Sequence, residues 1–120
     1  MSYVDGFLLA VPTANREEYR QMALKGAEYF KSLGATEFVE CWGDDVPDGK
    51  VTSFPMSVKL QEDETVVFSW IVWPSKEVRA KGHAAIHESS QAEEWMKNMP
   101  FDGMRMMFGG FEPIVDLTFD

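Results

Sequence analysis

Two carboxylates lie inside stretches of sequence that are typical of β-strands, where acidic residues are uncommon. Asp5 stands in the aromatic and aliphatic segment Tyr3–Val11, and Glu40 stands between Phe38 and Trp42. A carboxylate that faces a semi-enclosed cavity among aromatic side chains has a raised pKa and can act as an acid or a base. The pattern therefore predicts Asp5 and Glu40 as candidate catalytic residues.

Aromatic side chains accompany both acids and predict the walls of the same site. Because side chains alternate between the two faces of a strand, Asp5 shares a face with Phe7, and Glu40 shares a face with Trp42. Aromatic walls select flat or apolar ligands. The predicted ligand-binding residues are Phe7, Trp42, Trp70 and, near the rim of the cavity, Glu112.

A simpler interpretation of the two acids remains open. Either carboxylate could form a structural ion pair with Arg105 or Lys59, or lie exposed at a strand end. If the first strand is central in the sheet, Asp5 cannot easily reach bulk water, and an unpaired buried charge is very costly. Asp5 is therefore expected either to find a donor, such as Arg105 or a tyrosine hydroxyl, or to titrate at a higher pH.

Other groups with chemical potential have ordinary explanations. His83 and His87 are spaced i, i+4 on a predicted helix and could face one metal ion, but a site needs a third ligand and the spacing also suits two solvated histidines. The acidic loop of Asp44, Asp45 and Asp48 does not have the spacing of an EF-hand and fits turn chemistry. No metal and no cofactor is expected.

Composition limits the classes of partner. The chain has 120 residues, which fits one domain over 1–120, and a net charge of -9. That charge disfavours nucleic acid and anionic membrane surfaces. The single cysteine, Cys41, excludes an internal disulfide and is expected to be a buried structural thiol. With no apparent signal peptide and no apolar stretch long enough to span a bilayer, we expect a cytoplasmic protein.

Periodicity and turn signals divide the chain into strands and helices. One helix follows a capping signal at Asn15 and ends at Gly34, and two shorter helices are expected after Ser75 and after Ser90. The predicted strands are Tyr3–Val11, Ala35–Gly43, a hairpin of Phe54–Leu60 and Thr65–Trp73, and a final strand Met104–Leu117 that is bent at Gly109-Gly110 and Pro113.

The order of these elements predicts an α+β protein with a ferredoxin-like, split βαβ arrangement. Such a protein has an antiparallel sheet with helices on one face, and its other face would here be rich in aromatic residues and methionines. An exposed apolar face of that size needs a partner, and packing two sheets face to face is the economical solution. The sequence therefore predicts a homodimer.

Several distinctive motifs are spread over nearly the whole chain, at residues 3–7 (YVDGF), 43–50 (GDDVPDGK), 52–55 (TSFP), 67–72 (VFSWIV), 99–103 (MPFDG) and 109–113 (GGFEP). Together they resemble the YbaA-like bacterial family, domain-of-unknown-function family 1428. This resemblance implies the dimeric α+β barrel superfamily, in which two ferredoxin-like sheets enclose a shared cavity, and it supplies no established reaction.

Two functions from different classes are consistent with these observations. The first is a protein that binds or transforms a small, largely apolar molecule in the cavity of a homodimeric α+β barrel. The alternative is a non-catalytic dimeric binding or structural module whose barrel is filled by side chains. The residues alone leave open whether the protein is an enzyme, because fold does not dictate function.

Overall fold

Four strands form one antiparallel sheet in the computed structural model of the chain, which describes residues 1–120 with the exception of the side chain of Gln91. The strands are β1 (Tyr3–Pro12), β2 (Glu37–Trp42), β3 (Glu64–Trp73) and β4 (Met107–Phe111). The helices are α1 (Arg16–Ser32), α2 (Phe54–Ser57), α3 (Lys76–Glu88) and α4 (Ser90–Lys97), with short 3₁₀ turns at Thr13–Asn15 and Gly103–Arg105.

The strand order is β2-β3-β1-β4, and every pairing is antiparallel. The predicted α+β, ferredoxin-like fold is confirmed, and β1 is central because it pairs with both β3 and β4. The register aligns Phe7 of β1 with Ser69 of β3, and Ser69 with Glu40 of β2. The next row along the sheet aligns Asp5 with Ile71, and Ile71 with Phe38.

The helices begin and end at recognisable capping residues. Gly34 follows α1 with a φ of 108°, a conformation that glycine adopts at low cost, as the sequence predicted. Ser75 caps α3 by accepting a hydrogen bond from the backbone of Val78. The cap of α4 is Ser89, one residue before the predicted position. Among the described residues, no helix is both long enough and apolar enough to cross a membrane.

The core lies between one face of the sheet and the helices. Leu9, Val11 and Val67 on the sheet pack with Tyr19 and Ala23 on α1. On the opposite face, a smaller buried cluster of Ala10, Val58 and Val66 covers one end of the sheet. The rest of that face is open and carries apolar side chains that are between 47% and 61% exposed, namely Phe54, Phe68, Met107 and Phe111.

The predicted hairpin arm at Phe54–Leu60 is wrong, because this segment contains the short helix α2 and then a turn. The Ser53 side chain accepts a hydrogen bond from the backbone of Met56, and Pro55 lies in the first helical turn, where its missing N–H costs nothing. Lys59 then adopts a φ of 52°. Strand β3 instead pairs with β1 and β2.

The final strand is shorter than predicted at both ends. Asp102 accepts a hydrogen bond from the backbone of Met104 and stabilises a 3₁₀ turn before the strand begins. Pro113, which has no backbone N–H, follows closely after the last paired residue, Phe111. The remaining residues to Asp120 contain no helix or strand, and apolar side chains such as Phe119 are exposed there.

Candidate functional site

Strands β1 and β2 direct both predicted catalytic acids toward the helices rather than toward the open face. On β1 the alternation groups Asp5 with Phe7 and Leu9, and Leu9 belongs to the core beneath α1. On β2 it groups Glu40 with Phe38 and Trp42, which pack against the same core. The predicted grouping of these side chains is observed, but the face they occupy is the one covered by helices.

Glu40 forms a close pair with a tyrosine from α1. The Tyr19 hydroxyl donates a hydrogen bond of 2.7 Å to Glu40 Oε1. Burial raises the pKa of Glu40 above its ordinary value, against the opposing effect of hydrogen bonds from Tyr19 and Ser69. Burial, together with the negative charge and hydrogen bond of Glu40, also raises the pKa of the Tyr19 hydroxyl. The pair therefore combines a proton acceptor of increased basicity with a hydroxyl that keeps its proton.

A small, partly open cavity of about 160 Å³, called the inner cavity below, lies against this pair, between the sheet and the helices. A dry apolar cavity of about 150 Å³ in another protein binds benzene, so this one has the size for a single aromatic ring. Its lining is apolar except for Glu40, Ser69 and Tyr19. The apolar and aromatic lining residues are Phe7, Leu9, Met22, Phe30, Phe38, Trp70, Ile71, Ile86, Trp95, Met96, Met99, Phe101 and Met106.

An outer groove of about 320 Å³ reaches the same acid–phenol pair from the side of α1 and β2. Glu40 and Tyr19 line both this groove and the inner cavity. Trp42 forms part of the outer wall, where the Arg16 guanidinium lies 5.5 Å from the centre of its ring. The pair thus stands between a surface groove and an apolar interior, which is a suitable place for selecting a ligand and transferring a proton.

Asp5 has a different environment. Its carboxylate accepts hydrogen bonds from Arg79 Nη2 at 2.7 Å and from Trp73 Nε1 at 2.8 Å, and it lies 2.9 Å from His83 Nε2. Burial favours the neutral acid, but the hydrogen bonds from these three side chains outweigh it and hold the pKa of Asp5 below its ordinary value. The sequence predicts that Asp5 either finds a donor or titrates at a higher pH, and the structure shows the first outcome.

That donor is Arg79 of α3 and not Arg105, which the sequence suggested. Arg105 instead binds Glu64 at 2.6 Å and Asp102 at 3.0 Å. Because its pKa is lowered, Asp5 does not have the property that would make it a general base. Its contacts connect the central strand β1 with the end of β3 and with α3.

The predicted site residues do not line a single cavity. Trp70 projects from the open face, where its Nε1 donates to Glu37 Oε1 at 2.9 Å and its ring meets that of Phe68 edge to face. Glu112 borders a wide depression on that same face, and Phe7 and Trp70 border both this depression and the inner cavity. The alternation of side chains along a strand cannot show which face of the sheet the helices cover. The predicted site therefore combined residues from both faces.

Sequence reasoning missed Tyr19 and Trp95, which belong to helices. Both occur in helical segments whose apolar residues recur at the helical period, a pattern that is typical of core positions. A tyrosine on such a stripe signals a buried hydroxyl that needs a partner, since buried Tyr hydroxyl groups are usually hydrogen-bonded. That signal could have directed attention to Tyr19, although no sequence feature identifies Glu40 as its partner.

The remaining candidate groups are arranged as follows. His83 is half-buried against Asp5 rather than solvated, while His87 is exposed. Cys41 is exposed on the edge strand β2, so the expectation of a buried thiol was wrong. Within the described part of the chain, no group of three or more His, Cys, Asp or Glu side chains is placed to hold a metal ion.

Comparisons with known proteins place this geometry in context. Residues 2–103 match the family described as "Protein of unknown function (DUF1428)". The uncharacterized protein YbaA of Escherichia coli K12 is 54% identical over 116 residues, covering 97% of this chain and 99% of that protein. YbaA of Shigella flexneri matches to the same extent.

A solved structure shares the fold. The crystal structure of a mutant of SnoaB, a cofactor-independent oxygenase from Streptomyces nogalater, superposes with a TM-score of 0.60 over 97% of this chain and 96% of that chain. The sequence identity is 11%, so the likeness concerns the fold alone. The two chains therefore share one α+β fold over nearly their whole lengths.

Proposed function

The chain belongs to the DUF1428 family, and we propose that it binds a small, largely apolar molecule in the cavity beside Glu40 and Tyr19 and removes a proton from it. The observation that carries this proposal is the position of one carboxylate with a raised pKa in the wall of an otherwise apolar, ring-sized cavity. Such a carboxylate is a general-base candidate because its pKa moves toward the working pH.

The ligand class follows from the lining. The size of the cavity suits one aromatic ring, and its aromatic and methionine walls favour a flat apolar body. Glu40 favours a ligand that carries a weakly acidic O–H or N–H group, since an ionised carboxylate accepts a strong hydrogen bond. We therefore propose a phenol-like ligand whose hydroxyl proton passes to Glu40, while Tyr19 holds the carboxylate in position.

The roles proposed for the other predicted residues follow their locations. Phe7 would contact the ligand as part of the wall, and Trp42 would contact it in the outer groove during entry. We propose that Asp5 supports the site only by fixing the central strand. The reaction class named for SnoaB adds the expectation that this fold can hold small-molecule chemistry without a cofactor.

We also propose that the protein is a cytoplasmic homodimer, with the open sheet face as the interface. The apolar side chains of that face surround a depression of about 570 Å³, lined mainly by residues such as Leu8, Phe68 and Met107. A second copy of the chain is the occupant that fits, because the fold is shared with dimeric α+β barrels and a twofold interface requires only a self-complementary patch. Changing Phe68 to Glu should convert a species of twice the protomer mass into a monomer in light scattering.

The binding proposal is tested with two probes that differ in one group. We expect para-fluorophenol to bind the wild-type protein more tightly than fluorobenzene, as measured by fluorine NMR. In Glu40→Gln, the affinity for the phenol should fall at least about tenfold, because a hydrogen bond to a charged group is lost. The affinity for fluorobenzene should not change.

Glu37→Gln is the matched control, since Glu37 lies on the same strand but faces the open side, where it binds Trp70. It should leave both affinities at their wild-type values. If neither probe binds, the cavity is not a ligand site, and the alternative of a non-catalytic module with a filled interior is favoured. If both probes bind but Glu40→Gln weakens neither, Glu40 has no part in recognition.

A further inference from the structure

Residues 112–120, called the C-terminal arm below, leave the sheet after β4 and carry exposed apolar side chains. Within the described part of the chain, the arm belongs to no helix or strand, and Pro113 separates it from β4. Val115 is 76% exposed, Leu117 is 71% exposed and Phe119 is 84% exposed. A contiguous group of large apolar side chains in water indicates an interaction surface.

The side chains of the arm alternate between two types. Val115, Leu117 and Phe119 are apolar, whereas Asp116 and Thr118 between them are polar. This period of two is typical of a half-buried β-strand, in which one side covers an apolar surface and the other meets polar groups. The arm therefore has the sequence pattern of a strand but no sheet edge beside it.

Strand β2 offers a sheet edge that can accept such a strand. It pairs with β3 on one side, and no described segment pairs with its other side. Natural edge strands are usually protected by lysine, proline or a bulge, but β2 (EFVECW) has no lysine or proline and its register with β3 is unbroken. The other edge strand, β4, is better protected, because it has only five residues and Pro113 follows it closely.

The arm cannot pair with β2 of its own protomer. The strand order β2-β3-β1-β4 puts the outer side of β2 four strand spacings, or about 19 Å, from β4. The three residues that separate Phe111 from Val115 span about 14 Å at most, even when fully extended. A second copy of the chain is therefore the source of the β2 edge that the arm can reach.

The two sides of β2 match the two sides of the arm. By alternation, Cys41 faces the open sheet face, where apolar side chains such as that of Leu117 could be covered. On the helix side, Arg16 and Arg20 of α1 line the outer groove next to β2. An arm that placed Leu117 on the open-face side would turn Asp116 toward these two arginines, which favours that orientation.

We propose that the C-terminal arm of one copy pairs as a strand with edge strand β2 of a second copy, with its apolar side toward the open sheet faces. This inference rests on the proposed homodimer and adds an exchange of arms to it. The arm leaves from Glu112 and Pro113 at the rim of the open-face depression, so two facing sheets bring each arm beside the other copy. In a twofold dimer the exchange is reciprocal and covers both β2 edges.

Cys41 is a suitable reporter for the test, because it is exposed on β2 and is the single cysteine of the chain. One cysteine is introduced in turn at each of positions 115–119 of the full chain, and the thiols are oxidised with diamide. A disulfide needs Cβ atoms within about 4 Å, so only arm residues on the same side as Cys41 can form one. The covalent dimer on a non-reducing gel should be at least about fivefold stronger at one of the odd-numbered positions than at 116 or 118.

Two controls define the cross-link. Adding Cys41→Ser to the best odd-numbered variant should abolish the covalent dimer, which shows that Cys41 is one of the two partners. Asp48→Cys, in an exposed loop, should give only the background of the wild-type chain. Light scattering of the reduced variants then separates the arm exchange from the homodimer itself.

Twice the protomer mass without a disulfide to Cys41 would mean that the homodimer stands and the arm exchange is wrong. The protomer mass would make both wrong, and neither result bears on the ligand proposed for the inner cavity. A disulfide that forms within one chain would place the arm on its own protomer and contradict the exchange. Equal cross-linking at all five positions would show a mobile arm instead of a paired strand, and this result would also overturn the inference.

Discussion

Asp5 and Glu40 are two carboxylates on neighbouring rows of the same sheet face, and their environments differ sharply. Asp5 is 2% exposed and receives hydrogen bonds from an arginine and a tryptophan, with a histidine in contact. Glu40 has a tyrosine hydroxyl and a serine and borders empty apolar space. The pKa of Asp5 is consequently lowered and that of Glu40 raised.

The difference shows that burial alone does not make a strand carboxylate a catalytic candidate. Burial raises the pKa of any carboxyl group, but enough donors reverse the effect. A cationic partner such as Arg79 stabilises the charged form of Asp5 and makes the acid a structural connection. With only neutral donors, Glu40 keeps the raised pKa, and the adjoining cavity gives a substrate access to it.

The largest expected effect is the loss of stability when Asp5 is neutralised. Asp5→Asn removes the charge that pairs with Arg79 and His83, and it should lower the free energy of unfolding by about 3 kcal/mol. This value is at the lower end for buried pairs because the Arg79 side chain is 21% exposed. Glu40→Gln should cost less than about 1 kcal/mol, since no cation is left unpaired. Urea denaturation with a common slope measures both changes.

Asp48→Asn is the control for this comparison, because Asp48 is exposed in a loop. It should change the free energy of unfolding by no more than about 0.5 kcal/mol. Equal losses for Asp5→Asn and Glu40→Gln would show that the two carboxylates are energetically equivalent, and the proposed division of roles would have to be abandoned.

The pH dependence of stability should have opposite signs at the two sites. The lowered pKa of Asp5 contributes stability that is present above its ordinary value of 3.8 and is lost as the pH falls through the folded-state value. The advantage of wild type over Asp5→Asn should therefore shrink in acid. The raised pKa of Glu40 has the reverse effect, since it favours the fold below 4.5 and is lost as the pH rises through the folded-state value.

Glu40→Gln should accordingly gain stability relative to wild type as the pH rises from about 4 to about 8. Thermal unfolding over that range, with both variants and wild type in the same buffers, provides the measurement. If the difference in stability between wild type and Glu40→Gln does not depend on pH, then Glu40 titrates at its ordinary value. It would then lack the raised pKa that the proposed base requires.

The fold was largely predictable because each element carries a local signal. The apolar run of β3 and the capping signals at Gly34 and Ser75 are encoded within a few residues. The apolar residues near Phe54 indicate a strand, and the prediction there was wrong. Ser53 as the helix cap and Pro55 in the first turn favour a helix start, and this signal outweighs the apolar pattern. The assignment of a strand beyond Phe111 failed because apolar composition alone does not guarantee a pairing partner.

The site was only partly predictable, because it depends on contacts between distant residues. Alternation correctly grouped Asp5 with Phe7 and Glu40 with Trp42, since that depends only on strand geometry. It could not show which face α1 covers, nor that Arg79 would reach Asp5 across 74 residues of sequence. The separation of Glu112 from Glu40 follows from the same missing information.

The third prediction concerns the hydroxyl that holds Glu40. Tyr19→Phe removes a hydrogen bond that lowers the pKa of Glu40, so this pKa should rise further while that of Asp5 stays low. Stability should fall by about 1 kcal/mol, a typical value for one hydrogen bond. Carboxyl-carbon NMR titration reports both acids in one experiment, and an unchanged Glu40 titration would show that the Tyr19 contact is not maintained in solution.

The smallest expected effect comes from filling the space beside Trp95. Gly26→Ala places a methyl group 3.1 Å from the indole, which must give by a few tenths of an ångström, and we expect it to shift toward the inner cavity. The gain in helix propensity, up to about 1 kcal/mol, should nearly offset the strain, so stability should change little. Binding of fluorobenzene should weaken about two- to threefold, whereas the titration of Asp5 should not change.

Gly103→Ala, with open space around the added methyl group, is the matched control. Full wild-type binding in Gly26→Ala would indicate that the indole moves away from the cavity, and that α4 rather than the ring sets the size of the space in front of Glu40.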